Sequence, residues 1–254
     1  MPKAKAAAAK ALEIDNSLAE AHASLAFVQL YYEWDWPGAE KSFRRAIELN
    51  ANYAPAHQWY SHLLMSRGRT NDSIWQAKRA AEIDPLSLPA IMNVGWQYDW
   101  SRQYDLSIEW LRKVLEIEPN FEQARWALGL AYEGKGMIKE AATEFQKAVD
   151  LSGGGNPVYE AALGRVHAIG GNKPDAMRIN DQLEKESKSK YVSAYWMATL
   201  QVSLANKGAA FQWLEKAYEE RSGGMIWLSV DPRMDGLRSD ARFATLLDRV
   251  GLVP

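Results

Sequence analysis

The chain has 254 residues, 47% of them hydrophobic, and its 30 basic and 32 acidic side chains leave a formal net charge of −2. This balance provides no broad basic surface for a phosphate backbone, so we expect no nucleic-acid partner for this segment. Cysteine is absent, which excludes disulfides, thiolate metal sites and cysteine nucleophiles. No apolar run approaches the roughly 20 residues that span a bilayer, and the start, MPKAKAAAAKALEID, lacks the apolar core of a secretory signal.

The first predicted element is a helix over residues 2–15, which ends in the sequence ALEIDN from Ala11. Similar endings recur along the chain as AIELNA, AAEIDP, VLEIEP and AVDLSG, which start at residues 46, 80, 114 and 148. The last four starts are each 34 residues apart, and the first gap is 35 residues. A period of this length predicts a stack of helix pairs, in which each pair buries its apolar face against its neighbours.

Residues 1–18 correspond in this register to the second helix of a pair whose first helix is missing. A lone half-repeat cannot bury its own apolar face. We therefore expect residues 1–18 to be a truncated half-repeat, and the chain to be cut from a longer protein.

The first complete pair contains an unusual connection, Tyr31–Gly38, with the sequence YYEWDWPG. It holds the extra residue of the 35-residue gap, and we expect Tyr31 to end one helix and Pro37 to open the next. Its other aromatic rings either fill the gap made by the insertion and cover the next pair, or form a binding site. We expect the packing role and leave the binding role as the alternative.

The fourth pair, residues 122–155, carries the most complete pattern. Its first helix contains Leu128, Gly129 and Tyr132 and its second contains Ala141, Phe145 and Ala148, with a break at Gly134 and Gly136. Spacings of three to four residues place each set on one helical face. The order Leu-Gly-x2-Tyr followed by Ala-x3-Phe resembles the tetratricopeptide repeat. This resemblance implies an all-α fold, a right-handed superhelical α-solenoid of helix-turn-helix units with a C-terminal capping helix.

Six such units are predicted within residues 19–221, at about 19–53, 54–87, 88–121, 122–155, 156–190 and 191–221. The last two depart from the pattern, since Asn180 stands where an apolar residue belongs and Gly153 replaces the proline. Residues 222–254 leave the period. There, Phe243, Leu246, Leu247 and Val250 predict one apolar face of a short helix that caps the stack.

A narrower resemblance covers nearly the whole chain. The runs YYEWDWPGAEKSFRRAIELN, AEIDPLS and AYEERSGGMIWLSVDPRMDGLRSDARF are similar to the repeat arrays at the carboxyl ends of bacterial signalling proteins. In that group, similar arrays follow serine/threonine kinase, adenylate cyclase or winged-helix DNA-binding domains, and no motif of those domains is present here. The resemblance implies a cytoplasmic location, or a periplasmic one if the array belongs to a membrane-tethered regulator.

A tetratricopeptide array curves, and the resemblance implies that positions 2, 5, 6, 9, 12 and 13 of each unit line its concave face. The groove predicted in this way contains Phe27, Tyr31, Gln58, Trp59, His62, Met65, Trp96, Asp99, Trp100, Trp126, Leu130 and Tyr195. Aromatic residues dominate binding hot spots. We therefore predict a non-catalytic interaction or sensory scaffold that binds an apolar or aromatic peptide of a protein partner in this groove. Packing between neighbouring units is the alternative role of each side chain.

Two other functions stay open at this point. In the first, the array self-associates into a homodimer through the exposed helix at its start. In the second, it senses a small aromatic molecule in a closed pocket among Trp59, Trp96, Trp100 and Trp126. The best-known ligand of the family is a carboxyl-terminal chaperone peptide held by basic groove residues. Lys and Arg do not occupy the groove positions of the first four units, so chaperone docking is not expected.

An enzymatic function is not expected from the sequence. The run GLAYEGKG at Gly129–Gly136 has the spacing of a phosphate loop, but Gly136 replaces the Ser or Thr that holds magnesium, and a helix precedes the loop. His62, the one histidine predicted to face the groove, has no placed carboxylate or serine beside it. No two of the four histidines have the i, i+4 spacing of metal ligands. We expect no catalytic residue, no metal and no cofactor.

Overall fold

The structure is a computed structural model that describes residues 1–252. The last two residues of the predicted cap, 253 and 254, lie outside the described residues. The helices are α1 (Pro2–Ile14), α2 (Ala19–Val28), α3 (Trp36–Leu49), α4 (Ala54–Ser66), α5 (Thr70–Ile83), α6 (Leu88–Trp100), α7 (Tyr104–Ile117), α8 (Glu122–Gly134), α9 (Ile138–Leu151), α10 (Pro157–Ile169), α11 (Lys173–Glu186), α12 (Ala194–Ser203), α13 (Lys207–Glu219) and α14 (Ala241–Val250). A π-helical turn, Gln29–Glu33, extends α2, and two 3₁₀ turns, Gly223–Trp227 and Pro232–Leu237, precede α14.

From α1 to α11 each helix packs against the one before it, α12 packs mainly on α10, and α13 packs on α12, and this makes the chain an α-solenoid. The first helices of successive pairs also contact one another along the row α2–α4–α6–α8–α10–α12. This row is therefore the inner, concave layer of the solenoid, and α3, α5, α7, α9, α11 and α13 form the outer layer. The all-α prediction is confirmed, since every regular element of residues 1–252 is helical.

Glycines inside the inner helices allow each pair to pack closely. A Cβ atom at Gly129 would lie 2.6 Å from the Phe145 ring, and one at Gly95 would lie 2.8 Å from Leu111 Cγ. Phe145 and Leu111 belong to the outer helix of the same pair and are fully buried. The glycine of the repeat pattern is therefore the site where the outer helix inserts a fully buried apolar side chain.

Each turn between the two helices of a unit places one residue in the left-handed region of the backbone. In three turns this residue is a glycine, namely Gly68, Gly136 and Gly171, at φ values of 73°, 79° and 84°. Glycine adopts this conformation without strain. In the other three turns it is Trp34, Arg102 or Ala205, at φ values of 57°, 61° and 59°. A left-handed conformation costs such residues roughly 1–2 kcal/mol.

The extra residue of the first unit is absorbed inside a helix. The first helix runs on past Val28 through the π-helical turn Gln29–Glu33, in which one additional residue fits into each turn of backbone. Our expectation that Tyr31 ends this helix is therefore wrong by two residues. The next helix begins at Trp36, where the Asp35 side chain caps it by accepting a hydrogen bond from the Gly38 amide at 3.0 Å.

The end of the chain returns to its beginning. Helix α14 packs on α13, as expected for a cap, through Phe243, Leu246 and Val250, which are buried. The same apolar core also contains Trp36 and Leu63 from the first two units. One hydrophobic core therefore joins the first and last units, and the solenoid is closed across its concave side.

The close approach at Gly129 gives a test of the packing. We expect Gly129→Ala to destabilise the chain by about 1–3 kcal/mol, because the new methyl group overlaps a buried ring. Gly208→Ala is the matched control, since a Cβ there meets only Asn206 Oδ1 at 3.8 Å. Chemical denaturation of both variants measures the difference, and equal stabilities would contradict this account of the pair.

Candidate functional site

The concave face, formed by the inner helices, is not an open groove. Residues 222–237, which we call the closing segment, lie across it, and Trp227 inserts between its aromatic side chains. The Trp227 ring stacks on Trp100 with centroids 4.8 Å apart and planes 7° apart. It also meets the His62 ring at 5.3 Å and the Trp96 ring at 6.1 Å. Trp227 is 4% exposed, so this contact is part of the core.

Hydrogen bonds hold the C-terminal region on the first three units. The Ser229 hydroxyl donates to the Ser66 carbonyl oxygen at 2.9 Å, and the Arg102 guanidinium pairs with Asp235 at 2.8 Å. Beyond the closing segment, the Trp36 indole N–H donates to the Val250 carbonyl oxygen at 2.8 Å. The closure thus involves polar as well as apolar contacts.

The aromatic connection YYEWDWPG takes part in this closure. Trp34 lies 5.1 Å from the Tyr218 ring, and the Arg221 guanidinium stacks over Trp34 at 4.1 Å. Trp34 and Trp36 are both buried. Both rings are packing residues. Trp34 covers the last unit, and Trp36 lies between helix α14 and the next unit, where the Arg67 guanidinium is 5.9 Å from its ring. Of the three non-glycine residues with left-handed backbone in the turns, Trp34 and Arg102 are thus the two whose side chains contact the C-terminal region.

A ladder of hydrogen bonds crosses the first three inner helices. The Tyr31 hydroxyl lies 2.5 Å from His62 Nδ1, and His62 Nε2 lies 2.6 Å from Asn93 Oδ1. An amide oxygen can only accept, so His62 carries its proton on Nε2 and accepts from Tyr31 through Nδ1. Burial lowers the pKa of His62 to about 4. The imidazole is therefore neutral and acts as a structural link between units.

Two buried arginines continue the polar interior towards the last units. Arg165 is 1% exposed and makes a bidentate pair with Glu133, at 2.7 Å through Nε and 2.5 Å through Nη2. Its third nitrogen donates to the Thr199 hydroxyl at 3.1 Å. This pair fixes the concave residues of three consecutive units relative to one another.

The second buried arginine, Arg233, comes from the closing segment. Its Nε donates to Asp231 Oδ1 at 2.6 Å, and the Tyr195 hydroxyl donates to Asp231 Oδ2 at 2.7 Å. Its guanidinium stacks over Trp100 at 4.5 Å and over Trp196 at 5.6 Å. Arg233 therefore fits a site built from aromatic faces and a carboxylate.

Asp99 is the least satisfied group of this interior. It is 1% exposed, and its nearest cation, Arg233 Nη1, lies 3.6 Å away. Neither of its carboxylate oxygens has a hydrogen-bond partner, and the same is true of Arg233 Nη2. Burial raises the pKa of Asp99 to about 6, against the attraction of Arg233. Three acids and two arginines share this region, so partial protonation of Asp99 relieves an excess of negative charge.

The predicted groove residues separate into two sets. Seven are buried, namely His62, Met65, Asp99, Trp100, Trp126, Leu130 and Tyr195. Five are half-exposed, namely Phe27, Tyr31, Gln58, Trp59 and Trp96. The first set packs against the closing segment or between units, which is the alternative role that the sequence left open. A partner can reach only the second set while the closing segment is in place.

Three rings of the half-exposed set form one aromatic surface. The Phe27 ring lies 4.5 Å from Tyr31 and 4.9 Å from Trp59. Further along the face, Trp96 lies 5.6 Å from the buried Trp126, and Trp126 lies 5.1 Å from Trp196. Trp96 also lies 6.2 Å from Trp100, so these rings are in contact at the place where the small-ligand alternative expects a pocket.

Sequence reasoning missed three residues of the site, Trp227, Asp231 and Arg233, because it assigned them only to the cap. Their segment leaves the 34-residue period, so no repeat position indicates where they point. The one available signal was the presence of a tryptophan, an acid and an arginine outside any amphipathic pattern. Such residues are rarely left without a partner when they are buried.

Aromatic, carboxylate and guanidinium side chains make up this face. Over residues 1–252, no group of three or more His, Asp or Glu side chains has an arrangement suited to a metal ion. In the same range no helix has the length and apolar character needed to cross a bilayer. Aromatic surfaces, an isolated carboxylate and arginines are groups that hold a peptide or an aromatic ligand.

Comparisons with known proteins agree with the repeat. Residues 122–153 match the family model of the tetratricopeptide repeat. This stretch is the fourth unit, in which the repeat pattern is most complete. A TPR repeat-containing protein of Methanocaldococcus jannaschii is 32% identical over 96 residues, which are 37% of this chain and 28% of that relative. The chain therefore spans less than a third of the length of this relative.

Solved structures share the helical solenoid fold of this chain. The type IV pilus biogenesis factor PilW superposes with a TM-score of 0.64 and 21% identity, over 78% of this chain and 90% of PilW. A chain of the APC/C hetero-tetramer Cut9–Hcn1 gives a TM-score of 0.66 and 16% identity, over 98% of this chain and 45% of that one. At these identities the likeness supports the solenoid fold and no particular partner.

The unsatisfied carboxylate predicts how stability depends on pH. The pKa of Asp99 is about 6 in the folded chain and about 3.9 in the unfolded chain. Between these values the folded chain binds more protons than the unfolded chain, so the Asp99 contribution to stability falls as the pH rises through this window. Over this window the free energy of unfolding loses about 3 kcal/mol through Asp99.

Asp99→Asn cannot ionise and should lack this change. We expect the free energy of unfolding of the variant, relative to the unmodified chain, to increase by about 3 kcal/mol between about pH 3.5 and pH 7. Urea denaturation at both pH values measures it. His62, which titrates in an overlapping range with the opposite sign, is present in both chains and cancels. A constant difference would show that Asp99 ionises normally.

Proposed function

We propose that the chain is a protein-interaction module that binds a partner segment on its concave face. Tetratricopeptide-repeat arrays generally mediate protein–protein contacts, and this array has a matching fold. The observation that carries the proposal is that a peptide-like segment already lies across this face, with a tryptophan and an arginine seated in it. A surface that accommodates its own chain in this way has the shape and chemistry to accommodate another.

The half-exposed aromatic surface is the part that a partner reaches first. Phe27 and Trp59 present rings that are in contact with each other and with solvent. Aromatic rings provide a large contact area at a low loss of side-chain entropy. The partner proposed is therefore a peptide segment with apolar or aromatic side chains, bound in an extended or helical form.

We also propose that the array belongs to a bacterial signalling protein. The support is the sequence similarity of residues 31–50 and 217–243 to the arrays of that group. The test is the sequence of the complete gene. A kinase, cyclase or winged-helix domain in the same reading frame supports this association, and a reading frame without an effector domain contradicts it.

Selection of peptides from a random library tests the interaction. We expect Trp59→Ala to weaken binding of the selected peptides at least about tenfold, as loss of a central aromatic contact does. Trp75→Ala is the matched control, because Trp75 is 59% exposed on the outer helix α5, away from the concave face. It should bind as the unmodified chain does.

Two further measurements accompany this selection. Circular dichroism of both variants checks that the helices are intact. Size-exclusion chromatography with light scattering shows whether the free chain is a monomer, because a dimer would place part of the surface in an interface. If Trp59→Ala and Trp75→Ala lose the same amount of peptide affinity, or if both bind the peptides normally, the concave face is not the binding surface.

A further inference from the structure

We propose that the closing segment is a built-in competitor, which occupies the concave face until a partner segment displaces it. The partner that fits is a peptide segment with an aromatic side chain followed, six residues later, by an arginine, as in Trp227 and Arg233. This inference rests on the proposed function. It adds the chemistry of the partner and a control on its access.

The closing segment resembles a bound peptide more than a repeat helix. It contains two short 3₁₀ turns joined by a non-helical link, and it crosses the C-terminal ends of α4 and α6. The chain leads into this segment by way of Arg221, which has a φ value of 54°, and the segment itself begins with Ser222, Gly223 and Gly224. Glycines allow a wide range of backbone conformations, so this entry is a place where the segment can pivot.

The first anchor is the aromatic site of Trp227. Its stacking on Trp100 and its edge contact with His62 are contacts that another aromatic ring can reproduce in the same place. The site is deep, since Trp227 is 4% exposed, and Trp96 lies at its side with the ring centroids 6.1 Å apart. Anchors of this kind dominate the free energy of peptide binding.

The second anchor is the arginine site, and here the closing segment fits imperfectly. Arg233 Nη1 is 3.6 Å from Asp99 Oδ2, which is longer than a hydrogen bond between charged groups. Both Asp99 oxygens and Arg233 Nη2 are left unpartnered. A partner arginine free of the restraint that Asp231 places on Arg233 can approach Asp99 and form the bond that is missing.

Unsatisfied polar atoms are concentrated where the segment closes the face. Nine buried side-chain nitrogen and oxygen atoms of the described residues lack a hydrogen-bond partner, and seven of them belong to Trp34, Trp96, Asp99, Trp100, Trp126 and Arg233. Each such atom opposes burial. The closed arrangement is held by apolar contacts and by the hydrogen bonds of Ser229 and Asp235. It is opposed by these unpartnered atoms, so a partner that satisfies them can compete with it.

The tether sets how strongly the segment competes. A short covalent linker gives an attached segment an effective concentration of the order of millimolar. A free peptide must exceed this concentration or bind more tightly. An added peptide should consequently bind the unmodified chain weakly, and bind better to any form in which the attached segment is weakened.

The test uses the full chain and a labelled synthetic peptide of residues 222–237. We expect Trp227→Ala in the chain to lower the Kd of this peptide at least about tenfold, because the attached competitor loses its anchor. A peptide that carries Trp227→Ala is the matched control and should not bind. Equal affinity of the peptide for both chains would overturn the proposal.

A covalent lock tests the same point without removing a core residue. The chain has no cysteine, so the pair Arg102→Cys and Asp235→Cys introduces the sole thiols, at exposed positions whose side-chain ends are 2.8 Å apart in the unmodified chain. A bis-maleimide that contains a disulfide joins the two thiols. The cross-linked form should bind neither the labelled peptide nor library peptides of the same pattern, and reduction of the linker should restore binding. The reduced form is its own control.

Hydrogen exchange on the unmodified chain provides a measurement that no folding defect can disturb. The Leu228 and Asp231 amides, which donate to Met225 and Trp227 carbonyl oxygens, should exchange at least about tenfold faster than amides in the middle of α6 and α8. Equal protection would show that the segment opens only when the whole array unfolds, and would overturn the proposal.

These outcomes separate the two proposals. If library peptides bind, and the locked and reduced forms bind them equally, the interaction function stands and the competitor is wrong. If no peptide binds the reduced, locked or Trp227→Ala chain, both proposals are wrong.

Discussion

Each helix pair of this chain has an apolar face that only its neighbours can cover, and the rest of the structure follows from that requirement. Within the array it is met by the repeat itself, because Gly95 and Gly129 bring the inner helix onto the buried Leu111 and Phe145 of the outer one. Beyond the last unit no further pair follows in the described residues. There the chain covers the inner face with its own closing segment and α14, and so joins the last unit to the first.

This closure explains several local departures from the repeat. The π-helical turn Gln29–Glu33 lengthens the first inner helix by the one inserted residue and presents Trp34 to the last unit. Trp34 and Arg102 replace the glycine that other turns carry, and their side chains contact the C-terminal region. Backbone strain at these turns is thus offset by contacts between distant parts of the chain.

The electrostatics of the interior bear on what the concave face can do. Arg165 is fully paired with Glu133 and Thr199, so it stabilises the array and offers nothing to a ligand. Asp99 and Arg233 are buried close together without completing a hydrogen bond. Buried charges in that state oppose the closed form, and this makes the closing segment the part of the array best suited to exchange with a partner.

The sequence by itself determined the architecture of this protein. A 34-residue period, small residues at the close contacts and glycine at half of the turns are local signals that repeat in register, so the all-α solenoid and its fourth unit could be predicted from them. The capping helix could be predicted too, because its apolar face has a helical spacing.

Only the tertiary structure decided which concave residues are accessible. Trp100 and Trp59 both hold positions of the repeat that line the concave face, yet one lies under Trp227 and the other stays half-exposed. That difference depends on a contact between residues more than a hundred positions apart, made by a segment without periodicity. Periodicity describes how a unit meets its neighbours, and it contains no information about where a non-repeating end will fold back.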